Sequence, residues 1–153
     1  MLKHPKNKLI VKWFLIIGGI LLAAGAALYI YYATLKYGDT ANIKAEYIVE
    51  AMPFLKEYEK DYKAANIKYA EKIIAVTGMV TETELVDTTI NIKMSDTTTG
   101  SYLIFDFQKL HLEEAKTLKP GDLATIKGSC SDGIYSLILG AYFVSFKRST
   151  LIK

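Results

Sequence analysis

The sequence predicts a mainly β protein: a five-stranded Greek-key barrel preceded by a helix, with one transmembrane helix in front of both. Three observations carry this. Trp13 to Leu35 is a run of 23 residues without a charge. The chain from Ile43 to Ala65 carries apolar residues at helical spacing. Beyond Tyr69 the apolar residues recur at every second position, the period of half-buried strands.

The uncharged run comes first. A helix rises about 1.5 Å per residue, so 23 residues span roughly 35 Å, enough to cross a hydrocarbon core. Residues 1–12 form a basic tail with Lys3, Lys6, Lys8 and Lys12 and no acid, and residues 13–35 form the span. All 16 acidic residues follow the run, against 15 basic ones, a net of −1. The overall +3 therefore belongs to the tail and does not mark the domain as a polyanion binder. Lysines before a span hold its N-terminus on the cytoplasmic side. The expectation is a single-pass cell (inner) membrane protein with a cytoplasmic N-terminus and an extracytoplasmic domain. Trp13 at one end, and Tyr29, Tyr31, Tyr32 and Tyr37 at the other, read as interfacial belts. A cleaved signal peptide is the competing reading, since Ala24-Gly25-Ala26 has the composition of a cleavage site. Apolar character continues through Leu28 to Tyr32, which favours an uncleaved anchor. Gly19, Ala23 and Ala27 recur every four positions, so a homodimer through this helix is a further expectation.

Residues 36–42 read as a short polar linker, too short to let the domain range far from the membrane. Residues 43–67 read as one amphipathic helix. Its stripe is Ile43, Tyr47, Ala51, Leu55, Tyr58, Tyr62 and Ala65, its far side Lys56 to Lys63 is charged, and Asn66 is its C-terminal cap. Pro53 implies either a kink or a fresh helix start.

The barrel is expected over residues 68–148, with 149–153 as a tail. Lys72 to Leu85 reads as one long strand with a bend or bulge at Gly78. Thr88–Asp96 buries Ile90, Ile92 and Met94, and Ser101–Phe107 buries Leu103, Phe105 and Phe107. Leu110–Lys119 reads as a short helix ended by Pro120-Gly121. Leu123–Cys130 alternates Ala124, Ile126, Gly128 and Cys130 against Leu123, Thr125, Lys127 and Ser129. Asp132-Gly133 reads as a hairpin turn, and Ile134–Phe146 as the last strand. Three strands, a short helix and two more strands are the order of the OB-fold.

Specific stretches strengthen that reading. "KYAEKIIAVTGMV" (Lys68–Val80), "LKPGDLATIKGSCSDG" (Leu118–Gly133) and "YEKDYKAAN" (Tyr58–Asn66) resemble the tRNA_anti-like group of bacterial OB-fold proteins. The similarity runs over roughly residues 44 to 145. It implies a barrel like that of anticodon-binding domains, in a group with many exported or anchored members. It supplies no catalytic residues. A membrane helix stands here where other members resemble lipoproteins.

No cofactor is expected. Metal binding needs three or four converging ligands. His4 lies in the basic tail and His111 beside Glu113 and Glu114, without that spacing. No serine or threonine has a base in a recognisable motif, and no phosphate-binding glycine loop is present. The protein is thus read as a binding module and not as an enzyme. Its single cysteine, Cys130, reads as a buried core residue.

OB-folds bind on the face of their second and third strands. By alternation that face is Thr89, Asn91, Lys93, Tyr102, Ile104 and Asp106. It offers one cation, one anion and one aromatic ring. Single-stranded nucleic acid needs stacking rings with clustered cations, so the expected ligand is an envelope protein or another envelope ligand. Nucleic acid is the alternative, and an assembly or stress-response scaffold a second one.

Overall fold

The computed structural model describes residues 6–34 and 38–152. The expectations for Lys3, His4, Leu35, Lys36 and Tyr37 lie outside them. The chain divides into two compact units, separated between Tyr37 and Gly38.

The first unit is one helix, α1, Lys6–Thr34. Its stretch Ile10–Tyr32 has the length and apolarity of a membrane span, with a mean hydropathy of 2.2 and nothing buried. Trp13, Tyr29, Tyr31 and Tyr32 are all exposed. From Trp13 to Thr34 the helix carries no charged residue on any side.

The second unit is a seven-stranded sheet with two helices. Its elements are β1 (Tyr47–Glu50), α2 (Ala51–Tyr69), β2 (Ile73–Met79), β3 (Glu82–Val86), β4 (Thr89–Ser95), β5 (Tyr102–Phe107), α3 (Leu112–Thr117), β6 (Leu123–Ser136) and β7 (Ala141–Ile152). The strand order is β1-β2-β6-β7-β5-β4-β3. β1 runs parallel to β2, and β5 runs parallel to β7; the other pairs are antiparallel.

An open sheet of seven strands, with β1 and β3 at its edges, stands where a five-stranded barrel was expected, and the two extra strands have two causes. The long first strand is cut in two at Val80–Thr81. Val80 N–H turns to the Asp122 carbonyl and Thr81 N–H to the Lys93 carbonyl, so the two halves serve different neighbours. The second reason is β1. The expected helix over 43–67 starts only at Ala51, and Tyr47–Glu50 pairs with β2. Tyr47 and Val49 pack on the core from this strand as they would have from a helix. Pro53 stands in the first turn of α2, where no intrahelical donor is required of it. The helix breaks instead at Asp61 (φ −158°, ψ 88°), whose Oδ1 accepts from Ala64 N–H. Asn66 is not the C-terminal cap, since the helix runs on to Tyr69.

Gly78 causes no bulge. β2 passes it in register with Ala124, and a Cβ there would meet Ala51 Cβ at 2.6 Å and Met94 Sδ at 2.8 Å. It is the point where α2 approaches the sheet. The hairpin expected at Asp132-Gly133 is also displaced. β6 continues through both residues to Ser136, and the chain turns over Leu137–Gly140 with Gly140 at φ +63°. Gly133 instead lies under α2, where a Cβ would enter the Tyr58 ring. The residues 149–153 expected as a tail supply the end of β7, up to Ile152.

The core joins Phe54, Tyr58 and Tyr69 of α2 to the inner residues of the sheet. Ile90, Ile92, Met94, Leu103, Phe105, Phe107, Ala124, Ile126 and Cys130 are all buried, as the alternation requires. Phe54 contacts the Tyr58, Tyr69 and Phe146 rings at 4.9–5.9 Å between centroids.

Candidate functional site

The outward face of β4 and β5 is fixed by register. Asn91 lies opposite Asp106, Lys93 opposite Ile104, and Ser95 opposite Tyr102. Because Ile90, Ile92 and Met94 turn inward, Thr89, Asn91 and Lys93 must turn outward. The six residues read from the sequence do share one face.

They do not form one pocket. Thr89, Asn91, Ile104 and Asp106 line a shallow depression of about 310 Å³, completed by Ser145, Phe146 and Lys147 of β7. Burial pushes the Asp106 carboxyl above its usual range, against the pull of the Lys147 ammonium. Tyr102 lies apart, stacked on Phe143 at 5.7 Å with planes 13° apart. The row across the sheet there is Ile134, Phe143, Tyr102 and Ser95.

Lys93 is not available as a free cation. β3 places Glu82 opposite it and Glu84 two residues on. Their carboxylates lie 3.1 and 3.4 Å from Nζ, and the Lys93 side chain is only 20% exposed. Desolvation disfavours the ammonium, but the two glutamates outweigh it and hold its pKa above the usual lysine value. Three carboxylates, Glu82, Glu84 and Asp106, thus stand on this face against Lys93 and Lys147.

Phe143, Ser145 and Lys147 were missed by sequence reasoning. Their alternation was present in "AYFVSFK", but reading Ile134–Phe146 as one strand hid where β7 begins. Glu82 and Glu84 were assigned to a strand without a partner, so their pairing with Lys93 could not be seen.

The chain entering the domain is docked. Asp39 Oδ1 lies 2.8 Å from His111 Nε2, and His111 Nδ1 lies 3.3 Å from Glu114 Oε2. Lys127, placed on the outer face by alternation, is covered: its Nζ donates to the Ala41 and Ile43 carbonyls at 3.0 and 2.8 Å. His111 is therefore a structural clasp between two carboxylates. Among the described residues no group of three or more His, Cys, Asp or Glu is placed to hold a metal. Cys130 is buried beside Tyr58, with Sγ 3.6 Å from Oη, and burial pushes its thiol up to about 12.

The tRNA_anti-like family model matches residues 6–138. No curated protein matches the sequence. Among solved structures, a lipoprotein of Klebsiella pneumoniae subsp. pneumoniae suggested to bind nucleic acid is 19% identical, with a TM-score of 0.56. The match covers 77% of this chain and 100% of that one. This likeness is one of fold. Weaker matches include the Pyrococcus horikoshii asparaginyl-tRNA synthetase complexed with asparaginyl-adenylate (17% identity, TM-score 0.38, 56% of this chain and 20% of that one). Another is the Entamoeba histolytica aspartyl-tRNA synthetase (10%, 0.43, 78% and 26%). The chain thus spans a fifth to about a quarter of those two synthetases.

Proposed function

The chain belongs to the tRNA_anti-like family, whose domain is an OB-type binding fold, and on that premise we propose that it is a membrane-anchored, non-catalytic module that binds a polypeptide of the cell envelope. In this reading β2 and β3 are the halves of the first strand of an OB barrel, and β4 to β7 are its remaining four strands. The helix α1 is an uncleaved anchor, and the domain is extracytoplasmic. The ligand lies across β4, β5 and β7, with Tyr102, Phe143 and Ile104 as apolar contacts and Asn91, Asp106, Ser145 and Lys147 as polar ones.

The observation that carries the choice of ligand is the engagement of Lys93 by Glu82 and Glu84. A phosphate backbone is held largely by lysines and arginines that release its counterions. Here a ligand phosphate would have to displace two carboxylates from the central lysine and then lie beside them. A polypeptide needs no such exchange. Rings flanked by short polar side chains suit protein contacts, where aromatic anchors supply most of the energy.

A photoreactive phenylalanine analogue in place of Tyr102, in the full chain expressed in its membrane, tests this. The expected adduct is unchanged by nuclease and, after trypsin digestion, yields cross-linked peptides whose second partner is a peptide foreign to this chain. An adduct removed by nuclease would contradict the proposal.

A further inference from the structure

The hairpin joining β6 to β7 ends in Leu137, Ile138 and Leu139, which are 89%, 96% and 61% exposed. Three adjacent aliphatic side chains so fully in water are costly, and no other part of the domain covers them. They stand at the end of a two-stranded arm. β6 is paired with β2 only up to Ser129, and β7 with β5 only from Phe143 on. Beyond Gly133, whose backbone groups are bonded to Asn66 of α2, the arm is held by its own ladder, down to the Ser136–Ala141 pair.

From Gly133 to Phe146 the arm carries no charged residue. Two of the turn's backbone donors are engaged within the turn itself. Leu139 N–H donates to Ser136 Oγ at 3.2 Å, and Gly140 N–H to the Ser136 carbonyl at 2.8 Å. Behind the tip, Tyr135 and Tyr142 pack ring to ring at 4.8 Å, and Tyr62 lies 6.0 Å from Tyr142.

We infer that this arm inserts into a lipid monolayer, with Leu137, Ile138 and Leu139 among the acyl chains and Tyr135 and Tyr142 at headgroup level. Each feature is one that hydrocarbon demands. Entering groups must be apolar and uncharged, and tyrosine rings prefer the interface. A protein pocket is the poorer fit, because protein hot spots favour tryptophan, tyrosine and arginine over leucine. The inference rests on the proposed anchor, which keeps a bilayer within tethered reach and makes even shallow insertion effective.

The test uses the full chain with Ile138→Cys, labelled with an environment-sensitive dye and reconstituted into phosphatidylcholine–phosphatidylglycerol vesicles. Cys130, buried and held protonated, stays unlabelled. A Thr98→Cys label on the exposed Thr97–Gly100 turn is the aqueous reference. The Ile138→Cys label is expected to emit further to the blue. Nitroxide lipids should quench it several-fold more than iodide does, and Leu137→Ser with Leu139→Ser should abolish the difference. Iodide quenching equal to that of the reference overturns insertion. So does lipid quenching that persists without the two leucines, since the dye itself would then be inserting. A label shielded from both quenchers indicates a protein contact and also overturns it. An alkaline carbonate wash separates the two readings: a chain released from the vesicles refutes the anchor, whereas a retained chain with an iodide-accessible label refutes only the insertion.

Discussion

Asp39 illustrates how one side chain ties the entering strap to the domain. Its Oδ1 accepts from Ala41 N–H at 2.9 Å and meets His111 Nε2 at 2.8 Å. The backbone bond, and then the histidine, hold its carboxyl below the usual aspartate value. A depressed folded pKa means that the contribution is complete above the unfolded carboxylate pKa of about 4 and is lost as pH falls through the folded one. The stability difference between the natural chain and Asp39→Asn should therefore be constant at neutral pH and shrink below about pH 4. Thermal melts of both proteins in detergent from pH 7 to pH 3 check this. A difference that stays constant down to pH 3 would show that the charge is not what the clasp uses. None of this was legible in the sequence, because Asp39 and His111 are 72 residues apart and no local pattern links them. Cys130 was legible, since strand alternation alone places it inside.

At the scale of elements, α2 and the base of the β6–β7 arm are joined by Asn66. Its Nδ2 donates to the Gly133 carbonyl at 3.0 Å, and its Oδ1 accepts from Gly133 N–H at 2.6 Å. The ladder is irregular between Cys130 and Gly133, and the asparagine occupies the backbone groups turned toward the helix. Asn66→Ala leaves a part-buried donor and acceptor without partners, so a loss of roughly 1–3 kcal/mol is expected in a urea melt. Asn66→Asp should recover part of it, because a carboxylate still accepts from Gly133 N–H. An Ala variant within about 0.5 kcal/mol of the natural chain would show that water replaces the side chain. This contact explains two misreadings together. Asn66 and Asp132-Gly133 are, by composition, a helix cap and a hairpin turn, but each is engaged by the other. The strands β4 and β5 were read correctly because their alternation is strict over seven and six residues. The short β1 was missed because Tyr47 also falls on the stripe of a helix.

The whole molecule joins an apolar helix and a near-neutral domain on one chain. The lysine-rich start and neutral domain predict that protease added to intact spheroplasts digests the domain. Digestion only after the inner membrane is opened would reverse the orientation. The mainly β class and the apolar N-terminal helix were readable from sequence because hydrophobic period is a local property, whereas the seven-stranded open order was not, since it is set by pairings between distant strands. The composition of the binding face was only half readable. Thr89, Asn91, Lys93, Tyr102, Ile104 and Asp106 follow from alternation, whereas Glu82, Glu84, Phe143 and Lys147 join them through pairings between distant strands. Those added residues decide the electrostatics, and the central claim that this face does not serve a phosphate backbone rests on them. Fluorescence anisotropy of labelled single-stranded 20-mer DNA and RNA, titrated with the detergent-solubilised chain at low and physiological salt, tests that claim most directly. The account predicts no binding tighter than about millimolar at physiological salt, since one stacked base supplies only roughly 1–3 kcal/mol. Glu82→Gln with Glu84→Gln, which frees Lys93, should bring weak binding at low salt that fades as salt rises. Micromolar binding by the natural chain, weakened by salt and lost in Tyr102→Ala, would contradict the account.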